Sequence, residues 1–255
     1  FAGLALGLLL AALLWANPRG NRAAHRWLAA YVLALALLSL GDLLEDSRWV
    51  LQWPQWAHLT DALIFTVGPL LWIYVRRLTL HATPRSWRAA LHAIPAVLVF
   101  AALVPFHLQP VEAQRTIVAQ ELAAGDDLLS PALLAAAAQM FAYWLASLWT
   151  LRRFRRALRQ EFSSLEQRTY GWLSVMLLVN LGMWILWILG LGLQQSWATW
   201  LDLIAVPAGL YLLAFLGLRQ PAVFFGTWRP DRETEERTGT AEPARPAEPA
   251  RPAEP

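Results

Sequence analysis

TLRRFRRALRQEFSSLEQRTYGWL, residues 150–173, is the stretch that orients this chain. Six of its residues are Arg (Arg152, Arg153, Arg155, Arg156, Arg159 and Arg168), diluted only by Glu161 and Glu166. Long apolar segments flank it on both sides. The run is therefore a fixed point: whichever side of a membrane it occupies sets the direction of every other segment.

Composition supports that setting. Hydrophobic residues make up 57% of the 255-residue chain and charged residues only 15%, against roughly a quarter in soluble domains. The mean hydropathy is +0.39. The charges fall in short blocks between apolar runs, the pattern of a polytopic membrane protein. The chain has no Cys, which excludes disulfides, thiolate chemistry and Cys-ligated metals. All 21 basic residues are Arg. In a chain rich in Ala, Leu and Pro this fits a GC-rich genome, and the high pI requires no nucleic-acid partner.

Working outward from the basic stretch, the fold class is an all-α membrane protein, a bundle of seven transmembrane helices. The spans are expected at about 1–15, 27–44, 57–75, 89–106, 130–150, 170–193 and 197–216. The first is shorter than the roughly 20 residues that hydrocarbon requires, so the true first helix is expected to start upstream. It lacks the basic start and small-residue cleavage site of a signal peptide. Trp49, Trp53 and Trp56 read as interfacial aromatics. Gly68-Pro69 should kink the third span, and a packed neighbour must then satisfy the freed carbonyl. Pro95, Pro105 and Pro207 are further give points. Residues 111–124 fit a short interfacial helix, and Ser130-Pro131 is a helix start. Residues 1–220 form the sensory domain. Residues 221–255 form a cytoplasmic linker in which Ala-Glu-Pro-Ala-Arg-Pro repeats, an extended spacer that cannot build a core.

The loops alternate in charge. Those after spans one, three and five hold three, four and six Arg; those after spans two, four and six hold only Arg48 and Arg115. The N-terminus is therefore expected outside and the C-terminus in the cytoplasm.

Enzyme chemistry has no foothold. His25, His58, His81, His92 and His107 are scattered without metal-ligand spacing. Gly-x-Ser-x-Gly and phosphate-binding Gly-rich loops do not occur. Without Lys there is no retinal Schiff base. No catalytic, cofactor or metal residue is expected.

Polar groups within spans are costly and tend to face protein or water. Asp42, Glu45, His58, Asp61 and Asp202 all fall toward the outer half. Each is accounted for singly by solvation at the interface. Together, lined by Trp184, Trp187 and Trp200, they would form an acidic, water-accessible sensing pocket. Asn180 reads as an interhelical hydrogen-bond partner. Within the basic stretch, Leu151, Phe154, Leu158, Phe162 and Leu165 make one helical stripe. That face suits either a membrane-surface anchor, with Arg152, Arg153, Arg155, Arg156 and Arg159 at anionic headgroups, or a relay packed on another helix; the anchor is the simpler expectation. Ser163-Ser164-Leu165-Glu166 fits a capping box, placing a break near Phe162.

Three patterns carry a family resemblance: Gly68-Pro69-Leu70-Leu71-Trp72-Ile73-Tyr74-Val75-Arg76; the basic stretch from Leu151-Arg152-Arg153-Phe154-Arg155 through Phe162-Ser163-Ser164-Leu165-Glu166 to Trp172-Leu173; and Tyr211-Leu212-Leu213-Ala214-Phe215-Leu216-Gly217-Leu218-Arg219-Gln220-Pro221. Over roughly residues 1–225 the chain resembles the seven-helix membrane region of bacterial transcription regulators whose C-terminal half is a helix-turn-helix domain of the arabinose-regulator (AraC) type. Similar regions precede histidine kinases and diguanylate cyclases. The resemblance implies a sensor in the bacterial inner membrane, with the lipid bilayer and an unidentified small-molecule or membrane-dissolved signal as partners. It also implies a homodimer, and DNA binding only through a C-terminal domain that residues 1–255 do not contain. A small transporter or permease subunit is the competing class. It would show inverted repeats, and no internal symmetry is visible.

Overall fold

Apolar segments of this length have one way to satisfy their backbone in hydrocarbon, which is to form helix. The computed structural model describes residues 2–17, 22–80, 86–124, 130–161 and 171–193, together with 208, 209 and 212. Among these residues there is no strand. The helices are α1 (Ala2–Ala16), α2 (Arg22–Asp46), α3 (Ile64–Leu80), α4 (Ser86–Leu91), α5 (Ile94–His107), α6 (Val111–Ala124), α7 (Pro131–Glu161) and α8 (Gly171–Leu193). Three short 3-10 turns, Trp49–Leu51, Pro54–Trp56 and Asp61–Leu63, join α2 to α3.

By length and composition, three segments among the described residues can cross a membrane: Arg22–Asp46, Pro54–Thr79 and Pro131–Arg156. A fourth is added if α5 and α6, bent by 119°, count as one. The expected seventh span, 197–216, lies outside the described residues apart from 208, 209 and 212.

Two expected spans hold their place but not their form. The third, expected over 57–75, falls within the Pro54–Thr79 segment, with α-helix from Ile64 and 3-10 turns before it. The fourth, expected as one helix over 89–106, is interrupted at His92-Ala93 because Pro95 sits in the first turn of α5. The fifth, expected over 130–150, lies in α7, which runs unbroken for 31 residues to Glu161, so the basic stretch is helical up to the residue before Phe162, where the break was expected. The α6 helix occupies the residues expected for it.

The main core is shared by α1, α2, α3, α7 and α8. It includes Leu14, Leu28, Tyr31, Val67, Leu71, Tyr74, Met140, Leu151, Leu173 and Leu177. Large apolar side chains on the opposite faces are exposed, among them Leu9, Leu13, Leu98, Phe100, Phe141, Trp149 and Leu178. Such faces suit a lipid environment.

Helix α3 fits against α7 through Gly68. A Cβ there would lie 3.1 Å from Tyr143 Cβ and 3.3 Å from Met140 Sδ, so glycine permits the close approach. The next residue, Pro69, has no N–H for the carbonyl of Phe65 one turn earlier. Gln139 Nε2, on α7, donates to that carbonyl at 2.6 Å. Helix α8 is tied in by Trp144 Nε1 donating to the Leu177 carbonyl at 2.9 Å, and by Asn180 Nδ2 donating to the Tyr31 hydroxyl of α2. Asn180 is thus the interhelical partner expected of it.

Candidate functional site

The segment between α2 and α3, residues 47–63, reverses direction through a series of tight turns. Arg48 and His58 both take left-handed backbone, with φ 55° and 61°. Gly41, near the end of α2, abuts Thr60, leaving no space there for a Cβ. The chain is therefore folded tightly back on the end of α2.

Helix α6 closes over this segment. Gln114 is buried and pins the bend after α5, its Nε2 donating to the carbonyls of His107 at 3.2 Å and Gln109 at 2.9 Å. Arg115 Nε donates to the Leu51 carbonyl at 2.9 Å. Val118 packs with Val50 and Ala57, with Phe106 and Leu122 against them. Trp49, Trp53 and Trp56 remain exposed, as interfacial aromatics should.

His58 sits at the centre of this closure. Its Nδ1 lies 2.8 Å from Asp61 Oδ2 and its Nε2 lies 3.0 Å from Glu121 Oε2. The Phe106 ring stands edge-on to the imidazole, with centroids 5.0 Å apart. The histidine side chain is 20% exposed, while Asp61 and Glu121 are 43% and 53% exposed. A neutral imidazole has one N–H, whereas two carboxylates here each require one; the imidazolium satisfies both. His58 lies near the start of the Pro54–Thr79 segment, ahead of α3, and rests against the polar α6.

Glu45, at the end of α2, joins the group. One ligand atom each from Glu45, His58 and Asp61 lie within 4.8 Å of one another. Chemically the arrangement can hold a proton or a cation between carboxylates contributed by α2, the turn before α3 and α6.

A scan of protein-family models matches no family, and searches of curated proteins and of solved structures return no match.

Of the expected pocket residues, Glu45, His58 and Asp61 converge. Asp42 lies three residues earlier on α2 and is not part of that group. Trp184 packs against the main core instead. The side chain of Trp187, and Trp200 and Asp202 altogether, lie outside the described residues. Glu121 and Phe106 were not foreseen as site residues. The one signal for Glu121 was its place on a polar helix between two apolar spans.

At the other end of the helices, Arg152, Arg153 and Arg156 are exposed and Arg155 is half-buried, with Leu151 buried on the opposite face. This is the expected stripe as far as the described side chains extend; that of Arg159, and the capping-box residues, lie outside them. Three guanidiniums sit over Trp rings: Arg26 over Trp15 at 5.7 Å, Arg76 over Trp72 at 4.7 Å and Arg153 over Trp149 at 5.5 Å. Each Arg belongs to one of the three basic loops or its flank. Such pairs fit a membrane interface, where Trp and Arg both settle.

Proposed function

We propose that this chain is the membrane-embedded sensory module of a bacterial transcription regulator. In this reading seven helices cross the inner membrane, with the N-terminus outside and the C-terminus in the cytoplasm. A signal arriving from outside or from the bilayer shifts the bundle between two packings. The Pro-rich segment 221–255 then tethers a cytoplasmic DNA-binding domain. Any such signal must bind the two packings unequally, since otherwise it shifts nothing.

The observation that carries the proposal is the continuity of α7. It packs against α3 through Gln139, which serves the Phe65 carbonyl, and continues without interruption into Arg152, Arg153, Arg155 and Arg156. At 1.5 Å per residue its 31 residues measure about 46 Å, well beyond the roughly 30 Å of hydrocarbon. A surface anchor would require the basic part to turn away along the membrane. A basic segment continuous with the span suits transmission instead. The charge alternation of the loops and the family resemblance support the same reading.

Two experiments test it. Reporter domains fused after Arg159 and after Glu121 are expected to read cytoplasmic and external respectively; the reverse pattern refutes the orientation. Reading the coding frame past Pro255 is expected to reveal a helix-turn-helix domain. A kinase or cyclase domain there would overturn the transcriptional output, and a frame that stops there would overturn the tethered module as a whole.

A further inference from the structure

We propose that Glu45, His58 and Asp61 bind a divalent first-row transition cation, with Glu121 orienting the histidine from the far side of its ring. This rests on the sensory reading of this face of the bundle and names the chemical class of its signal.

What separates this group from a patch of surface carboxylates is its imidazole nitrogen. Three donors arrive from three places: the end of α2, the left-handed residue before α3, and the first turn leading into α3. Their ligand atoms lie within 4.8 Å of one another. Ligands around tetrahedral zinc, each about 2.0–2.1 Å from the metal, stand roughly 3.3 Å apart. Contraction by about 1.5 Å or less therefore completes the site, within the reach of side-chain rotation.

The orientation of His58 fits the same chemistry. Metal-bound histidines usually donate their other ring N–H to a carboxylate, which fixes the tautomer. Glu121 stands 3.0 Å from Nε2, which leaves Nδ1 turned toward Asp61 at 2.8 Å. A cation would take the place of the proton between Nδ1 and Asp61 Oδ2. Two carboxylates then offset its double charge, and the third remains on the far side of the ring. Arg115, the cation nearest in sequence on α6, is turned to the Leu51 carbonyl. A mixed nitrogen and oxygen donor set suits zinc, manganese, iron, cobalt or nickel, whereas calcium and magnesium favour oxygen alone. Because the metal displaces a proton, binding weakens on acidification.

The test uses the full 255-residue chain, purified in detergent and stripped with chelator. Titration with Co²⁺, followed by its visible absorption and by Zn²⁺ competition, is expected to show one saturable site that excess Ca²⁺ does not displace. His58→Asn keeps a residue that tolerates left-handed backbone; it and Asp61→Asn should each weaken binding at least tenfold, and Glu121→Gln by roughly 10- to 100-fold. Unchanged helical circular dichroism establishes that the variants fold. Pulsed electron paramagnetic resonance of Cu²⁺ on the unaltered chain, which needs no variant, is expected to show a single imidazole. No saturable binding, or binding indifferent to both His58→Asn and Asp61→Asn, overturns the site. Binding without any change in downstream output, in cells supplied with or starved of the cation, leaves the site standing and overturns its sensory role.

Discussion

Replacing Gln139 with Leu is expected to destabilise the bundle by about 1–2 kcal/mol, and replacing Pro69 with Ala as well is expected to remove most of that loss. The Phe65 carbonyl would ordinarily accept from the N–H four residues on, and Pro69 has none. Gln139 Nε2 supplies the missing donor at 2.6 Å. Removing it leaves a carbonyl without a partner, at a cost of roughly 1–3 kcal/mol. Side-chain hydrogen bonds between membrane helices average only about 0.6 kcal/mol, with a maximum near 1.7. The effect should fall in the upper part of that range because the carbonyl has lost its intrahelical alternative. Pro69→Ala restores that alternative, after which Gln139 has little left to supply. Thermal unfolding in detergent of the original chain, both single variants and the double variant measures the coupling. A Gln139→Leu cost that persists undiminished beside Ala at position 69 would falsify this account.

The closure around His58 is expected to loosen in His58→Asn. The imidazole bridges two carboxylates from different elements, with Nδ1 2.8 Å from Asp61 Oδ2 and Nε2 3.0 Å from Glu121 Oε2. An asparagine amide has one donor nitrogen and is too short to span both. Helix α6 then loses its ion pair to the α2–α3 connection. Both carboxylate partners are near half-exposed, so solvent screening limits the loss to on the order of 1 kcal/mol. Trp49, Trp53 and Trp56 lie in the same segment and are exposed. Their fluorescence, or amide exchange across residues 47–63, should report the loosening. Unchanged exchange in His58→Asn would mean that the apolar contacts of Val50, Ala57 and Val118 hold the closure without it.

These features were unequally legible in the sequence. Gly68-Pro69 announced that a carbonyl would be freed and that a neighbour must serve it. Nothing local identified Gln139, because the contact spans 74 residues and depends on which helices become neighbours. His58 and Asp61, three residues apart, were visible as a pair, and Glu45 as a nearby acid. Glu121 was not, since it reaches His58 only through the 119° bend that lays α6 back over the α2–α3 connection. Hydropathy and helix part company in two places. Residues 57–63 fall within the Pro54–Thr79 segment, yet Pro54 and the left-handed His58 hold them in turns. Conversely, the Arg that follow Leu151 end the apolar run without ending the helix, as the apolar stripe among them foretold, because Arg is a good helix former. Asn180 was read correctly because a lone amide in an apolar helix has few alternatives to a neighbouring helix.

One mechanical property follows from α7 outrunning the core. Beyond Leu151, which is buried in the core, the 10 residues to Glu161 form a lever arm of about 15 Å. A tilt of about 10° around Leu151 carries the tip through about 3 Å. A small change of packing at Leu151 is thereby magnified at the far end of the helix.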